Sequence, residues 1–143
     1  MNEHKITPNV YILENLFKNY NKRLFNNSLA MPTFKISNSK TIIGNFIYDY
    51  IGQNDNSIII EISGRYKYTT YQLLSILVHE MIHYYMLAVE GINTENHGAD
   101  FLRMADMVNE NGNFHVTPLI DLSAYEAAQD NSSIGKICNW LFG

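Results

Sequence analysis

The residue types typical of a hydrolytic metal centre occur together at positions 78–84, where the sequence is Val-His-Glu-Met-Ile-His-Tyr. His79 and His83 are four residues apart, so on an α-helix their side chains lie on one face about one turn from each other. Two imidazoles at this spacing can bind one small cation. Glu80 projects about 100° around the helix from His79, beside such an ion rather than onto it. That is the position of a base that acts on a water molecule at a metal.

A catalytic zinc centre normally has three protein ligands and leaves its fourth position to water. We predict that His97 is the third ligand, because it follows a polar loop at the start of the next helical segment, where the chain can turn back. Gly98 removes side-chain bulk beside it. Asp100 is an alternative ligand, or it could accept the other ring N–H of a ligand histidine. Glu90 and Glu95 are further acidic alternatives, and we expect both to be solvated.

The other two histidines, His4 and His115, have no partners at ligand spacing, and we expect them to be surface or structural residues. The ligand spacing is not H-E-x-x-H-x-x-G-x-x-H, which excludes the metzincin class. Imidazole binds several transition ions, so the histidines alone do not identify the metal.

The central helix that carries the histidines has clear boundary signals. Thr69 and Gln72 fit a capping box at its start, and Gly91 after Glu90 fits its end. Ser75 is expected on the same face as the two histidines, facing a cleft. A different face is a core-facing apolar stripe of Leu74, Leu77, Val78, Met81, Ile82 and Tyr85.

The segments before this helix predict a helix and a small sheet. Apolar residues from Val10 to Leu24 recur every three or four positions, which predicts an amphipathic helix that begins near Pro8 and ends near residues 26–28. Gly44 indicates a bulge or a close backbone approach, with a plain kink as an equal alternative. Three segments rich in β-branched and aromatic residues predict a small antiparallel sheet: residues 33–37, 41–50 and 57–62.

After the central helix, a second short helix is expected from about residue 98 to residue 108. Residues 114–120 are an apolar stretch broken by Pro118, and residues 121–130 have a weak helical pattern. The expected fold is α+β, with one domain over residues 1–143, a core of about 10–110 and a C-terminal extension, 111–143. The second helix should bury Phe101, Leu102, Ala105 and Val108.

The composition is that of an ordinary globular protein. The chain has 143 residues, of which 46% are hydrophobic and 17% charged, and its net charge is −4. It contains no block of Lys and Arg, so charge does not support association with DNA or an anionic membrane. The single Cys138 excludes an internal disulfide and a Cys-rich zinc ribbon within these residues. With no signal peptide or run of about 18 apolar residues, we expect a cytoplasmic protein.

Two segments together resemble a known family. The sequence H-E-M-I-H-Y-Y at 79–85, followed after a loop by H-G-A-D-F at 97–101, resembles the SprT-like metallopeptidases, which include the Spartan proteases. Their pattern is H-E-x-x-H and then H-G-x-x-F at the start of the next helix. The resemblance covers roughly residues 10–110 and includes an upstream glycine similar to Gly44.

The resemblance implies that His79, His83 and His97 bind one zinc ion and that Glu80 is the catalytic glutamate. It also implies a minimal zincin fold in which a strand after the first helix borders the substrate cleft. Spartan proteases cleave proteins crosslinked to DNA, but this chain shows neither the zinc ribbon of many relatives nor a basic tail.

The expected activity is zinc-dependent hydrolysis of peptide bonds in a protein or peptide substrate, with Glu80 as general base. Tyr48, Tyr84 or Tyr85 could assist at the oxyanion, although a packing role is the better prediction for each. Two other functions stay open: a catalytically silent zinc-binding scaffold of the same fold, and a zinc amidohydrolase acting on a non-peptide substrate.

Overall fold

In the computed structural model, which describes residues 4–48, 58–92, 97–112, 115–118 and 122–128, helices and short strands form an α+β arrangement. The predicted fold class is therefore confirmed. The predictions for Cys138, Glu95 and most of the segment after residue 118 lie outside the described residues. The elements in chain order are β1 (Lys5–Ile6), α1 (Val10–Phe25), β2 (Thr33–Ser37), β3 (Gly44–Ile47), β4 (Ile59–Ser63), β5 (Tyr66–Thr69), α2 (Thr70–Ala88), α3 (Ala99–Asn111) and β6 (Glu126–Ala127).

Helix α1 lies close to its predicted position. The side chain of Asn9 caps its first turn by accepting a 2.8 Å hydrogen bond from the backbone N–H of Ile12, and Pro8 precedes this cap. The helix ends at Phe25, and the C-cap residue Asn26 has a φ of 58°, in the left-handed region. Leu13 and Phe17 are buried one turn apart, as the apolar spacing predicts.

The sheet beside α2 has the strand order β2-β4-β3, and its pairing is mixed. Strand β3 pairs with β4 in antiparallel register, as predicted, whereas β2 and β4 are parallel. Ile60 and Ile62 of the central strand β4 are fully buried. The most apolar strand, β4, therefore lies between the other two. The chain runs from β2 at one edge of the sheet to β3 at the other edge, and then returns as β4 in the centre.

A second sheet with the order β1-β5-β6 was not predicted from the sequence. Its strands contain only two to four residues each, too few for a clear alternating pattern. The weak helical prediction for residues 121–130 is wrong at Glu126–Ala127, which pair with β5, and only Leu122–Ala124 form a short 3-10 turn.

Helix α2 begins at the predicted capping box. Thr69 N–H donates to Gln72 Oε1 and Gln72 N–H donates to Thr69 Oγ1, both at 3.0 Å. The helix ends at Ala88, slightly before the predicted end, and Gly91 just beyond it has a left-handed φ of 69°. No helix among the described residues combines the length and apolar character needed to cross a membrane.

Burial along α2 is not limited to the predicted core-facing stripe, because the face with the histidines, which was predicted to face a cleft, is buried as well. From Leu73 to Tyr84, every residue except Ser75 is buried, including both histidines. The helix contacts α1, α3, β3, β4 and β5, so neighbours surround it. It is the central element of the fold, and its functional side chains therefore lie in the interior of the protein.

Helix α3 packs against α2 through one stripe. Phe101, Ala105 and Val108 are buried as predicted. Leu102, however, is 45% exposed, and Met104 is buried in its place. The stripe thus has the i, i+3, i+4, i+7 spacing of a helix with a single covered face.

Candidate metal centre

Two histidines of α2 and one from the segment just before α3 meet at one point. His79, His83 and His97 each offer one ring nitrogen, and these atoms all lie within 4.8 Å of one another. The Nε2 atoms of His83 and His97 are only 3.1 Å apart. The histidines that the sequence pattern selects are thus brought together by the fold.

The two helices position these side chains in different ways. His79 and His83 are one turn apart on α2, with ring centroids separated by 5.2 Å. His97 precedes the N-cap residue Gly98 of α3, and packing of α3 on α2 brings it to the other two. Its side chain is only partly buried, so the cluster has one side near solvent.

The ring of Phe101 packs against all three imidazoles. Its ring centroid lies 4.8 Å from those of His79 and His97, and 4.9 Å from that of His83. The side chain is fully buried. One aromatic ring therefore limits the orientation of every histidine in the cluster.

A backbone carbonyl orients the first histidine. His79 Nδ1 lies 2.8 Å from the carbonyl oxygen of Thr117, and because that oxygen only accepts, Nδ1 carries the proton. Nε2 is then the nitrogen with a free lone pair. Asp100 was predicted as a possible acceptor for the ring N–H of a ligand histidine, but its exposed carboxylate lies 3.8 Å from Arg103 Nη2.

Burial keeps the histidines neutral in the metal-free protein. Desolvation, followed by the charge of His83, lowers the pKa of His79 to about 3. Desolvation and then His97 lower the pKa of His83 to about 4. The pKa of His97 is also lowered by burial. Neutral imidazole is the form that binds a transition metal, so no proton competes with an ion near pH 7.

Glu80 is the buried acid of the site. Its side chain is 4% exposed, and burial raises its pKa to about 8. Its carboxylate lies against strand β3, where a β-carbon on Gly44 would be 2.9 Å from Glu80 Oε2 and 2.7 Å from Ile76 Cγ2. The predicted close approach at Gly44 is what the structure shows. A side chain there would displace either Glu80 or the strand.

The three histidines fit a zinc ion. Two nitrogens that bind one tetrahedral zinc at about 2.0–2.1 Å lie about 3.3–3.4 Å apart, close to the 3.1 Å between the Nε2 atoms of His83 and His97. Among the described residues, the cluster consists of the three histidines alone. Three protein ligands leave a position for water, whereas a structural zinc site has four.

The remaining candidates lie away from the centre or have packing contacts. Glu90 binds Arg103 at 2.9 Å, and His4 and His115 are exposed. The Tyr84 hydroxyl donates to the carbonyl of Ala30 at 2.9 Å. The rings of Tyr85 and Tyr48 pack on Phe25 and Phe46, with centroids 5.4 Å and 5.8 Å apart.

Comparison with known proteins agrees with this geometry. The model of the SprT-like family matches residues 13–119, more than half of the 143-residue chain. The matched range contains all three histidines, Glu80, Gly44 and Thr117. None of the curated proteins matches the chain.

Proposed function

Because the chain belongs to the SprT-like family, we propose that it is a zinc-dependent metalloendopeptidase. His79, His83 and His97 are the residues that would hold the ion, and Glu80 is the general base. The observation that carries the proposal is the cluster of three neutral imidazoles, together with the buried side chain of Glu80, which directly follows His79 in α2.

A zinc ion held by these histidines would supply Lewis acidity, which would lower the pKa of a water molecule and polarise a peptide carbonyl. Glu80 takes a proton from the water molecule while the water oxygen attacks the carbonyl carbon. Glu80 then delivers this proton to the leaving amine. Burial raises the pKa of Glu80 to about 8 before any ion binds. A cation held by the histidines would favour the ionised form of Glu80, which is the form that a base requires.

An edge strand supports a peptide as the substrate. Strand β3 is one of the two outer strands in the order β2-β4-β3, and among the described residues it pairs only with β4. The same strand contacts α2 at Glu80 through Gly44. An extended peptide that hydrogen-bonds to such an edge would lie alongside the catalytic glutamate. A non-peptide amide has no need of this strand, which favours the peptidase over the amidohydrolase.

The test combines metal analysis with cleavage of an unfolded, fluorescently labelled protein. Glu80→Gln should keep zinc and lower cleavage about 10²- to 10⁴-fold, the usual contribution of a general base. Glu110→Gln, an exposed residue on α3, is the matched control and should cleave normally. His97→Ala should lose zinc. Cleavage by Glu80→Gln at the wild-type rate would contradict the proposal.

The same assay separates the remaining candidate functions. A wild-type protein that binds zinc but cleaves nothing would favour the scaffold, since a silent site needs no base. Parallel reactions with and without DNA test for nucleic-acid dependence. With a net charge of −4 and no basic block, we propose that cleavage is the same in both.

A further inference from the structure

Asn109, near the end of α3, holds the backbone that follows this helix. Its Nδ2 donates to the carbonyl of Val116 at 3.0 Å, and its Oδ1 accepts from the N–H of Val116 at 2.7 Å. One side-chain amide thus satisfies both polar groups of one residue, as a neighbouring strand would. Val116 is also 4% exposed, so both of these backbone groups lie where water is largely excluded.

The next residue is Thr117, whose carbonyl receives the Nδ1–H of His79 at 2.8 Å. Two constraints fix the direction of the Thr117 carbonyl. On one side, the bonds from Asn109 fix the two peptide groups that flank the α-carbon of Val116. On the other side, Pro118 restricts the residue before it to extended backbone conformations. With both neighbours fixed, little rotation is left to the Thr117 carbonyl.

We propose that Asn109 is a positioning residue for the metal centre, acting on His79 through the Val116–Thr117 backbone. It holds the acceptor that keeps the proton of His79 on Nδ1 and directs Nε2 into the cluster. Helix α3 then serves the site twice, because His97 precedes its first turn and Asn109 lies in its last. This inference rests on the proposed zinc site, and it adds a residue outside the histidine motif.

The first measurement is zinc affinity, by competition with a chromophoric chelator. Asn109→Leu has a similar size but neither bonding group, and we expect its zinc dissociation constant to rise about 10- to 100-fold, the usual effect of losing a ligand's hydrogen-bonded support. Asn111→Leu is the control, because the side chain of Asn111 donates within its own helix, to the Met107 carbonyl at 2.8 Å. That variant should change the constant less than about twofold, within the range of a surface substitution.

The second measurement reports on the imidazole itself. In the zinc-loaded wild type, ¹⁵N NMR of the histidine rings should show a slowly exchanging Nδ1–H for His79. That proton should exchange faster in Asn109→Leu, an effect that a general loss of packing elsewhere would not produce. If Asn109→Leu does not fold, Asn109→Asp serves instead, because it keeps the acceptor for the Val116 N–H and loses only the donor.

An Asn109 variant that folds, binds zinc as tightly as Asn111→Leu and keeps the slow Nδ1–H signal would overturn the inference. His97→Ala separates this failure from failure of the zinc site. If His97→Ala loses zinc while the Asn109 variants retain it, only the role of Asn109 is wrong. If His97→Ala also binds zinc normally, the proposed site is wrong, and the role of Asn109 falls with it.

Discussion

The carboxylate of Glu80 and the backbone of Gly44 are in such close contact that a β-carbon on Gly44 would lie 2.9 Å from Glu80 Oε2. The two residues come from different elements, α2 and the edge strand β3. The strand that would align a peptide is therefore also a wall of the pocket that holds the acid. Substitutions at Gly44 should act on catalysis without touching a metal ligand.

Gly44→Ala should lower kcat at least about tenfold, because the added methyl group forces Glu80 or β3 to move, and misplacement by about 1 Å can cost 10²-fold. Zinc content should stay unchanged. Gly64→Ala is the matched control, since its β-carbon would meet Ile36 Cγ2 at 2.7 Å, away from the site. Overpacking costs about 1–3 kcal/mol in either variant. Equal activity losses in the two variants would contradict the role given to Gly44.

Phe101→Leu should weaken zinc binding roughly tenfold, because aromatic contacts worth about 0.5–1.5 kcal/mol each no longer orient the three imidazoles. Chelator competition measures the change. Met104→Leu, a volume-conserving change on the same buried stripe, should cost less than about 1.5 kcal/mol of stability and leave zinc affinity intact. The prediction fails if both variants bind zinc equally well.

The contribution of Glu80 to the stability of the metal-free protein should fall as pH rises from about 4.5 to about 8. The folded state keeps the Glu80 proton up to a pKa of about 8, whereas the unfolded chain releases it near the ordinary value of 4.5. Between these values the folded state binds more protons, so increasing pH favours unfolding. Glu80→Gln has no such proton to lose.

The measurement is thermal unfolding of both chelator-treated proteins at pH 5, 6.5 and 8. The Tm advantage of Glu80→Gln should grow with pH to roughly 3 °C or more, since ~1 kcal/mol shifts Tm by about 2–8 °C. The lowered pKa values of His79 and His83 act in the opposite sense, below pH 6.5, and contribute to both proteins. A Tm difference that stays constant with pH would rule out the buried proton.

Thr69→Ala should lower the free energy of unfolding by about 0.5–2 kcal/mol, the usual effect of deleting an N-cap side chain. It removes the acceptor for the Gln72 N–H at the start of α2. Urea unfolding measures the change, with Thr70→Ala as the control because Thr70 is exposed in the first turn. Equal losses in the two variants would show that the cap contributes nothing.

Sequence reasoning succeeded where the structure depends on neighbours in the chain. The box at Thr69 and Gln72 and the pairing of His79 with His83 are fixed by helical spacing, so four or five residues suffice to recognise them. The prediction of His97 as a ligand needed only one further assumption, that the chain turns back after α2 so that α3 packs against it. The α+β class followed from the same local signals.

It failed where the structure depends on distant contacts. The parallel pairing of β2 with β4 and the strands β1, β5 and β6 depend on partners far along the chain. The acceptor for His79 is the backbone oxygen of Thr117, which any residue type could supply. Alternation of the buried Tyr66 and Tyr68 was an available signal for β5 that the sequence analysis did not use.

The locations of the candidate ligands and of the base imply an order of assembly during folding. All three histidines lie within residues 79–97, so closing one short loop between two consecutive helices brings them together. The pocket of Glu80 also needs Gly44, and the support of His79 needs Thr117, 38 residues further on. Such contacts form more slowly because they close longer loops. The three histidines can thus come together and bind an ion before the pocket of Glu80 and the support of His79 have formed. A newly made chain can therefore bind metal before its site is complete.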